Sequence, residues 1–303
     1  MSYRIAVDTG GTFTDVVVAD EHGNLVVGKS LTTPNNVFSG MSSALDNAAA
    51  NLGVEADSIL KETGVLTYGT TRSTNAIITS SAAKTALLVT KGFPDTLTYR
   101  HGGKREPLNL KMEFPDPYIP RRLTEEIAER INSEGGVETP LDVELASEII
   151  QSLEPKRIEA IAVSFLWSIM NPSHELQVGQ LIEKFLPNVP YTLSHQLNPI
   201  IREFPRTSST AIDASLKPLM QKHFIELESS LRTAGYEGEF LVSTSSGGIK
   251  HVTDVVEKPI FTVKSGPAMA PLAGIAYAEA ENLGNDIIIV DTGGTTFDVS
   301  LIR

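Results

Sequence analysis

The sequence of 303 residues contains no cysteine. This absence excludes a disulfide framework, a thiolate nucleophile and any metal site built from cysteine ligands. The sequence also lacks an apolar run of the ~18 residues that a membrane-spanning helix needs. Its first residues show no basic segment followed by an apolar stretch and a small-residue cleavage site, which a secretory signal would have. We therefore expect a soluble, cytoplasmic protein with no membrane partner.

Basic residues are also scarce. The chain has 25 lysines and arginines against 37 aspartates and glutamates, and its formal net charge is −12. Non-specific nucleic-acid binding depends on a basic face that neutralises phosphates, and no Lys/Arg cluster in this sequence would form one. We therefore expect no nucleic-acid partner. A single nucleotide is compatible with this charge, because backbone amides and a metal ion can hold its phosphates locally.

What the sequence does contain is one eight-residue pattern in two copies. The first copy reads D-T-G-G-T-F-T-D at residues 8–15, and the second reads D-T-G-G-T-T-F-D at residues 291–298. The copies agree at six of eight positions, and each lies between two largely apolar runs that are typical of strands. A single copy is also typical of an ordinary hairpin turn. Two matching copies instead indicate one phosphate site that is built twice.

The residue types in this pattern suit phosphate. Adjacent glycines allow a positive φ and a close approach of the backbone, and successive N–H groups form a nest that binds phosphate oxygens. Asp8 and Asp291 would repel a phosphate unless Mg²⁺ lay between them, and that ion keeps several waters. We predict both aspartates as catalytic residues that bind Mg²⁺ through water or orient an attacking group. The predicted phosphate-binding residues are Gly10, Gly11, Thr12, Gly293, Gly294 and Thr295.

The rest of the chain predicts a mixed sheet. Residues 3–31 are predicted to form a three-stranded meander, and buried strands are predicted at 85–90 and 160–164. A long helix is predicted at residues 206–233, with a break near Pro218. This alternation of strands and helices after an antiparallel start indicates an α/β sheet with helices on its faces. The length suits two domains.

Several further segments, taken in order, resemble one known family. They are residues 69–76 (G-T-T-R-S-T-N-A), 171–175 (N-P-S-H-E), 202–206 (R-E-F-P-R) and 265–268 (S-G-P-A), followed by the second glycine loop. Together with the first loop they resemble the hydantoinase A / 5-oxoprolinase family, which includes the ATP-binding subunits of acetone and acetophenone carboxylases. The resemblance runs from residue 3 to the last residue.

The resemblance implies an α/β fold of the actin/hexokinase-like (ribonuclease H-like) group. In that group a mixed sheet has helices on both faces, and two related domains clamp a nucleotide. It assigns residues 1–190 to the N-terminal domain with the first phosphate loop, and residues 191–303 to the start of a hydantoinase A domain that reaches the second loop. Family members continue for hundreds of residues, so we expect an incomplete second domain. A fragment or split subunit of this kind is expected to be inactive alone.

The resemblance also implies a reaction, with ATP and Mg²⁺ as cofactors. The expected function is ATP-dependent hydrolysis of a cyclic amide of the hydantoin or 5-oxoproline type, through phosphorylation of the carbonyl oxygen. The implied partner is a hydantoinase B-type subunit. One alternative is the ATP-binding subunit of a ketone carboxylase, and another is a non-catalytic scaffold. Either enzyme would act on a small molecule, a cyclic amide or a ketone.

The same resemblance implies two groups of substrate-site residues. They are Thr70, Thr71, Asn75, Arg202, Glu203 and Arg206. Each group has a purely structural alternative. The two threonines can cap a helix, and the residues between 202 and 206 can form a surface charge set at i,i+3 and i,i+4 spacing.

Overall fold

The structure is a computed structural model that describes residues 2–102, 106, 108–109, 111–284, 286–292 and 297–303. Its strands are β1 (Tyr3–Thr9), β2 (Phe13–Ala19), β3 (Leu25–Leu31), β4 (Thr63–Thr70), β5 (Thr85–Thr90), β6 (Thr124–Ile127), β7 (Arg130–Ile131), β8 (Val137–Thr139), β9 (Ala160–Ser164), β10 (Tyr191–Leu193), β11 (Glu239–Ser243), β12 (Ile249–His251), β13 (Ile287–Thr292) and β14 (Phe297–Ile302). Its helices are α1 (Val37–Leu52), α2 (Ala56–Glu62), α3 (Arg72–Ile78), α4 (Thr96–Tyr99), α5 (Val143–Gln151), α6 (Ser173–Phe185), α7 (Ser194–Leu197), α8 (Glu203–Thr233), α9 (Val252–Glu257) and α10 (Ser265–Ala280).

The chain divides into two compact units. The first unit combines Met1–Ser81 with Met220–Arg303, and the second consists of Ala82–Leu219. The second unit is therefore an insertion between two segments of the first. The domain boundary predicted at residue 190 was based on the family resemblance and not on the compactness of the folded chain. It stays a prediction.

The first unit is built on a six-stranded mixed sheet with the order β12-β11-β4-β1-β2-β3. β1, β2 and β3 form the predicted antiparallel meander, while β1, β4 and β11 run parallel. Alternating burial in β1 places Tyr3, Ile5 and Val7 in the core and directs Asp8 to the opposite face. α1 packs against β2 and β3, and its first turn is capped by Asn36, whose Oδ1 accepts from Ser39 N at 3.2 Å.

The second unit has its own sheet of four parallel strands, in the order β10-β9-β5-β6. β5 and β9 are buried at every residue, as expected for parallel strands covered on both faces. The predicted strands at 85–90 and 160–164 are confirmed. α5 and α6 contribute Ile150, Val178 and Ile182 to the core around these strands.

The long helix differs from its prediction. α8 runs without a break from Glu203 to Thr233, with Pro218 inside it. The predicted break is therefore wrong. A proline inside a helix costs ~3 kcal/mol, but the helix is anchored on both sides of this one by fully buried residues such as Ala214 and Phe224. Burial of this kind supplies most of the stability of a helix in a protein.

The C-terminal part of the first unit adds a separate hairpin. β13 and β14 pair in antiparallel fashion, and α10 contacts both of them as well as β4 and β11 of the six-stranded sheet. In the part of the chain that the structure describes, no helix has the length and apolar character required to span a membrane.

Candidate functional site

The centre of the candidate site is a row of residues across the first sheet. The strand register places Asp15 of β2 opposite Asp8 of β1, and Asp8 opposite Gly69 of β4. A Cβ at Gly69 would lie 3.3 Å from Asp8 Oδ1 and 3.4 Å from Ser243 Oγ of β11. Because Gly69 has no side chain, the Asp8 carboxylate and the Ser243 hydroxyl both lie over this strand.

The first glycine loop is a tight turn between β1 and β2. Gly10 N donates to Phe13 O at 2.9 Å. Thr32, which follows β3 directly, holds the turn, since its N donates to Thr12 O and its Oγ1 to Gly10 O, both at 2.9 Å. The N–H groups of Gly11 and Thr12 donate to no atom within the described ranges. Two adjacent amides are therefore available to an anion, as expected of a phosphate nest.

The reason for glycine in this turn differs from the expected one. Neither Gly10 nor Gly11 lies in the left-handed region of the backbone, so this turn does not use the positive φ that glycine allows. At Gly11 a Cβ would meet nothing within 4 Å, whereas at Gly10 it would approach Phe13 O to 3.3 Å. Gly10 permits the tight closure of the turn. Gly11 leaves open space beside the free amides.

The electrostatics of this row are unusual because two carboxylates face each other. Lys29 Nζ lies 2.6 Å from Asp15 Oδ1 and partly compensates the pair. Asp8 is exposed on the outward face of its strand, and the protein atoms around it desolvate its carboxyl group in part. This desolvation raises the pKa of Asp8, the charges of Asp15 and Asp291 raise it further, and Lys29 opposes them. Such a carboxylate is stabilised in its charged form by a cation.

The second copy of the pattern also lies on two antiparallel strands. Asp291 pairs with Asp298 across β13 and β14, as Asp8 pairs with Asp15 in the first copy. In the first copy the last paired residues are Thr9 and Thr14, and in the second they are Thr292 and Phe297. Four residues therefore lie between the paired segments in each copy, 10–13 and 293–296. The predicted phosphate-binding residues Gly293, Gly294 and Thr295 lie outside the described residues. The charge of Asp291 is nevertheless one of the smaller causes that raise the pKa of Asp8.

The predicted substrate residues at the end of β4 are bound mainly to one another. Thr70 is buried, and its hydroxyl accepts from Arg72 N at 3.2 Å. Thr71 Oγ1 accepts from Asn75 Nδ2 at 3.2 Å, and Asn75 N donates to Thr71 O at 2.9 Å. These bonds order the start of α3 beside β1, since Thr71 N also donates to Thr9 O at 3.4 Å. A role of these three residues in substrate binding stays a prediction.

The other predicted group lies at the start of α8, in the second unit. Arg206 is 1% exposed and donates to the carbonyls of Ile200, Ile201 and Phe165. It therefore organises the loop before the helix rather than belonging to a surface charge set. Arg202 is exposed and Glu203 half-buried. Their roles in substrate binding also stay predictions.

One residue that sequence reasoning missed lies beside the first loop. Arg72 follows Thr71 directly, and its Nε is buried without a hydrogen-bond partner among the described residues. Its guanidinium Nη1 donates only a long bond, 3.4 Å, to Pro34 O. A guanidinium with an unused donor suits a phosphate oxygen. The available signal was an isolated basic residue within an otherwise neutral G-T-T-R-S-T-N segment. No cluster of three potential metal ligands occurs among the residues that the structure describes.

Comparison with known families covers nearly the whole chain. The family described as "Hydantoinase/oxoprolinase N-terminal region" matches residues 4–186, and "Hydantoinase/oxoprolinase" matches residues 206–303. Caprolactamase subunit alpha of Pseudomonas jessenii is 34% identical over 99% of this chain and 43% of its own length. Acetophenone carboxylase gamma subunit of Aromatoleum aromaticum is 34% identical over 98% of this chain and 42% of its own.

Solved structures agree with these matches. A nucleotide-free structure of acetone carboxylase matches with a TM-score of 0.89 and 25% identity, and the ATP-dependent caprolactamase of Pseudomonas jessenii with a TM-score of 0.85 and 33% identity. The matches cover 99% and 98% of this chain but 43% of each of those chains. This chain thus spans less than half the length of these relatives. The expected actin/hexokinase-like fold is confirmed, and the chain belongs to the hydantoinase/oxoprolinase family.

Proposed function

We propose that this chain binds Mg·ATP at its two glycine hairpins and takes part in the ATP-dependent hydrolysis of a cyclic amide. The observation that carries the proposal is the duplicated hairpin, in which each copy pairs two aspartates and Asp291 acts on the pKa of Asp8. The similarity to an ATP-dependent caprolactamase and to 5-oxoprolinases supports the same conclusion.

The described residues fit a phosphate and its metal ion. The free amides of Gly11 and Thr12 would bind phosphate oxygens, and the open space at Gly11 admits them. Asp8 would hold waters of Mg²⁺, an ion that usually takes one or two carboxylates from a protein. When bound, Mg²⁺ supplies positive charge to the transferring phosphate. Arg72 would add a further positive charge at the same end of the sheet.

The proposed chemistry overcomes the weak electrophilicity of an amide. The carbonyl oxygen attacks the terminal phosphorus of ATP, so that one P–O bond forms, another breaks and ADP leaves. A first water then attacks the activated carbon and the ring C–N bond breaks, which leaves an acyl phosphate at the end of the opened chain. A second water attacks the carbonyl carbon of this acyl phosphate, phosphate leaves, and an open-chain amino acid is released. Phosphoryl transfer requires mainly positioning and charge stabilisation. The loop amides and Asp8 are placed for those two tasks.

A second candidate function is supported by a specific observation. The acetophenone carboxylase subunit is as similar to this chain as the caprolactamase subunit, at 34% identity. In that case the activated group is the oxygen of a ketone enol, and the product is carboxylated. Relatives described as subunits support a hydantoinase B-type partner for either reaction.

Nucleotide binding is tested by titration calorimetry of Mg·ATP against the chain and its Asp8→Asn variant. We expect the variant to bind Mg·ATP about 10- to 100-fold more weakly, because a charged metal–water contact is lost. The matched control is Asp46→Asn, since Asp46 is exposed on α1, and it should bind as the parent does. Unchanged affinity in Asp8→Asn would reject the proposed site. An absence of heat from the parent would instead support the scaffold alternative.

The reaction is tested with a lactam whose carbonyl oxygen has a heavy-isotope label. The assay contains the chain, a hydantoinase B-type partner and Mg·ATP, and mass spectrometry detects the released phosphate. Activation by phosphorylation places the label in the phosphate. Hydrolysis that leaves the label entirely in the amino acid would contradict the proposal. A labelled ketone with bicarbonate, run in parallel, distinguishes the carboxylase alternative.

A further inference from the structure

The second unit contains a crevice of its own, which its own residues line. Its volume is about 470 Å³, within the range of ~300–1,000 Å³ that is usual for small-molecule sites. The segment after β5 (residues 92–102) forms one side, and Leu166 and Trp167, which follow β9, form another. Arg130 of β7 and the first residues of α8, Glu203 and Phe204, complete the lining.

The position of this crevice in the sheet favours ligand binding. In the order β10-β9-β5-β6, the chain leaves β5 towards β6 on one side and leaves β9 towards β10 on the other. The carboxyl ends of β5 and β9 therefore form a topological switch point. In open parallel sheets, ligands bind in the crevice at this place, because the loops after the two strands diverge there.

The base of the crevice is tightly organised. Thr90 at the end of β5 accepts a hydrogen bond from Leu166 N at 3.0 Å and donates to Glu129. Glu129 also lies 2.8 Å from His174 Nδ1, and both side chains are buried. The two loops that diverge from the sheet are thus held together at their base. Trp167 has a φ of 55°, an uncommon value for a bulky residue.

Charges of both signs line the crevice. Arg130 stacks on the Phe93 ring at 5.0 Å, and its Nε lies 3.7 Å from Glu138 Oε2. Its Nη1 is buried without a partner among the described residues. A small adjoining cavity shares Phe93 and Glu203 with the crevice and is also lined by Arg206. Arg206 is 1% exposed, and its Nε has no partner within the described ranges. Buried unsatisfied donors of this kind are costly unless a ligand uses them.

An acidic group completes the pattern. The Glu203 carboxylate makes no hydrogen bond or ion pair in the part of the chain that the structure describes, and it lines both cavities. The aromatic side chains of Phe93, Trp167 and Phe204 supply apolar surface around these charges. The lining therefore offers a cationic donor, an anionic acceptor and an apolar surface to one small molecule.

We propose that this crevice binds a free amino acid, with its carboxylate on Arg130, its ammonium group on Glu203 and its carbon chain against the aromatic side chains. The proposal rests on the second unit alone. If the proposed function also holds, the ligand belongs to the class of the reaction product, because opening a cyclic amide yields an amino acid. The crevice would then give the product a site outside the hairpins.

Trp167 allows a direct test, because it is the single tryptophan of the sequence. Its fluorescence is recorded during titration with 6-aminohexanoate and with glutamate, and with hexanoate and hexylamine as ligands of one charge. We expect a saturable change with at least one of the amino acids and weaker binding of the single-charge compounds. No saturable change at millimolar concentrations of either amino acid would overturn the proposal, as would equal affinity for hexanoate.

Variants separate the two charges. Arg130→Gln and Glu203→Gln should each weaken amino-acid binding about tenfold or more, because each loses a charge-assisted contact. Arg122→Gln is the matched control, since Arg122 is exposed and does not line the crevice. Asp8→Asn should leave the fluorescence titration unchanged, whatever happens to nucleotide binding. Unaltered affinity in the Arg130→Gln and Glu203→Gln variants, with folding verified by circular dichroism, would refute the assignment.

Discussion

Asp8 shows how one residue can be unfavourable in the free protein and useful in a complex. Its pKa is raised by desolvation and by two acidic neighbours, so ionisation of this side chain costs stability in the folded state. A bound divalent cation would reverse that effect, because it favours the charged form. Binding of Mg²⁺ and release of a proton are then coupled at this carboxylate. Nearby Lys29 only partly offsets the repulsion.

His223 provides a residue-scale prediction about pH. It is buried beside Tyr68, whose hydroxyl lies 3.1 Å from His223 Nε2. Burial, together with the charge of Arg72, lowers the pKa of His223 from 6.5 to about 4. The unfolded chain therefore binds more protons than the folded protein between about pH 4 and pH 6.5. Stability rises with pH across that window and is lost as the pH falls through it.

At the acid end of this pH window, we expect His223 to have lowered the free energy of unfolding by about 3 kcal/mol. His223→Gln should remove that pH dependence, because an amide can still bond to Tyr68 and does not titrate. Urea unfolding measured across the window compares the two proteins. His22→Gln serves as the control, since the His22 side chain is 69% exposed. Parallel stability profiles for the parent and His223→Gln would show that His223 is not the group responsible.

At the scale of elements, β3 packs so closely against α1 at Gly28 that only glycine fits at this position. A Cβ at Gly28 would lie 2.0 Å from Ala44 O and 2.7 Å from Ala48 N, both in the backbone of α1. We expect Gly28→Ala to lower the free energy of unfolding by about 2–3 kcal/mol, because backbone atoms must move. The same change displaces β3, on which Lys29 pairs with Asp15.

The measurement is chemical denaturation of Gly28→Ala beside Gly64→Ala. A Cβ at Gly64 would meet only Ser2 Oγ, at 3.6 Å, which is an ordinary contact. We expect that control to stay within about 1 kcal/mol of the parent. Equal stability of the two variants would contradict the close backbone contact between α1 and β3 at Gly28.

Elements were predictable from the sequence where a local pattern decides them. The hairpin around Gly10 and the buried strand Thr85–Thr90 follow from turn residues and apolar runs, and both are confirmed. The predicted helix break at Pro218 was wrong because tertiary burial stabilises this helix, and no local sequence pattern reveals that burial. The crevice at Trp167 was also not predictable, since it depends on the order of parallel strands. A turn with N–H groups available to an anion was predicted from the sequence, but the backbone conformation of its glycines was not.

At the scale of the whole molecule, the candidate nucleotide site joins segments far apart in the chain. β1 and β13 belong to the same compact unit although the entire second unit separates them in sequence. The two hairpins have the same register of paired aspartates. Duplicate hairpins with one shared ligand would explain why residues 8–15 and 291–298 agree so closely. The electrostatic influence of Asp291 on Asp8 makes this relationship measurable.

We expect Asp291→Asn to lower the pKa of Asp8, because one of the charges that raises it is removed. NMR titration of the Asp8 carboxyl carbon measures the change. Asp15→Asn should lower the same pKa more strongly, since Asp15 is the larger of the two charge effects. Asp286→Asn is the control, because Asp286 precedes β13 but is not among the groups that shift the pKa of Asp8. An Asp8 titration that is identical in the parent and in Asp291→Asn would mean that the charge of Asp291 does not act on Asp8. A lowered pKa would instead show that the charge of Asp291 acts on Asp8. Mg·ATP should then remove the difference between parent and variant, because a bound cation dominates the field at Asp8.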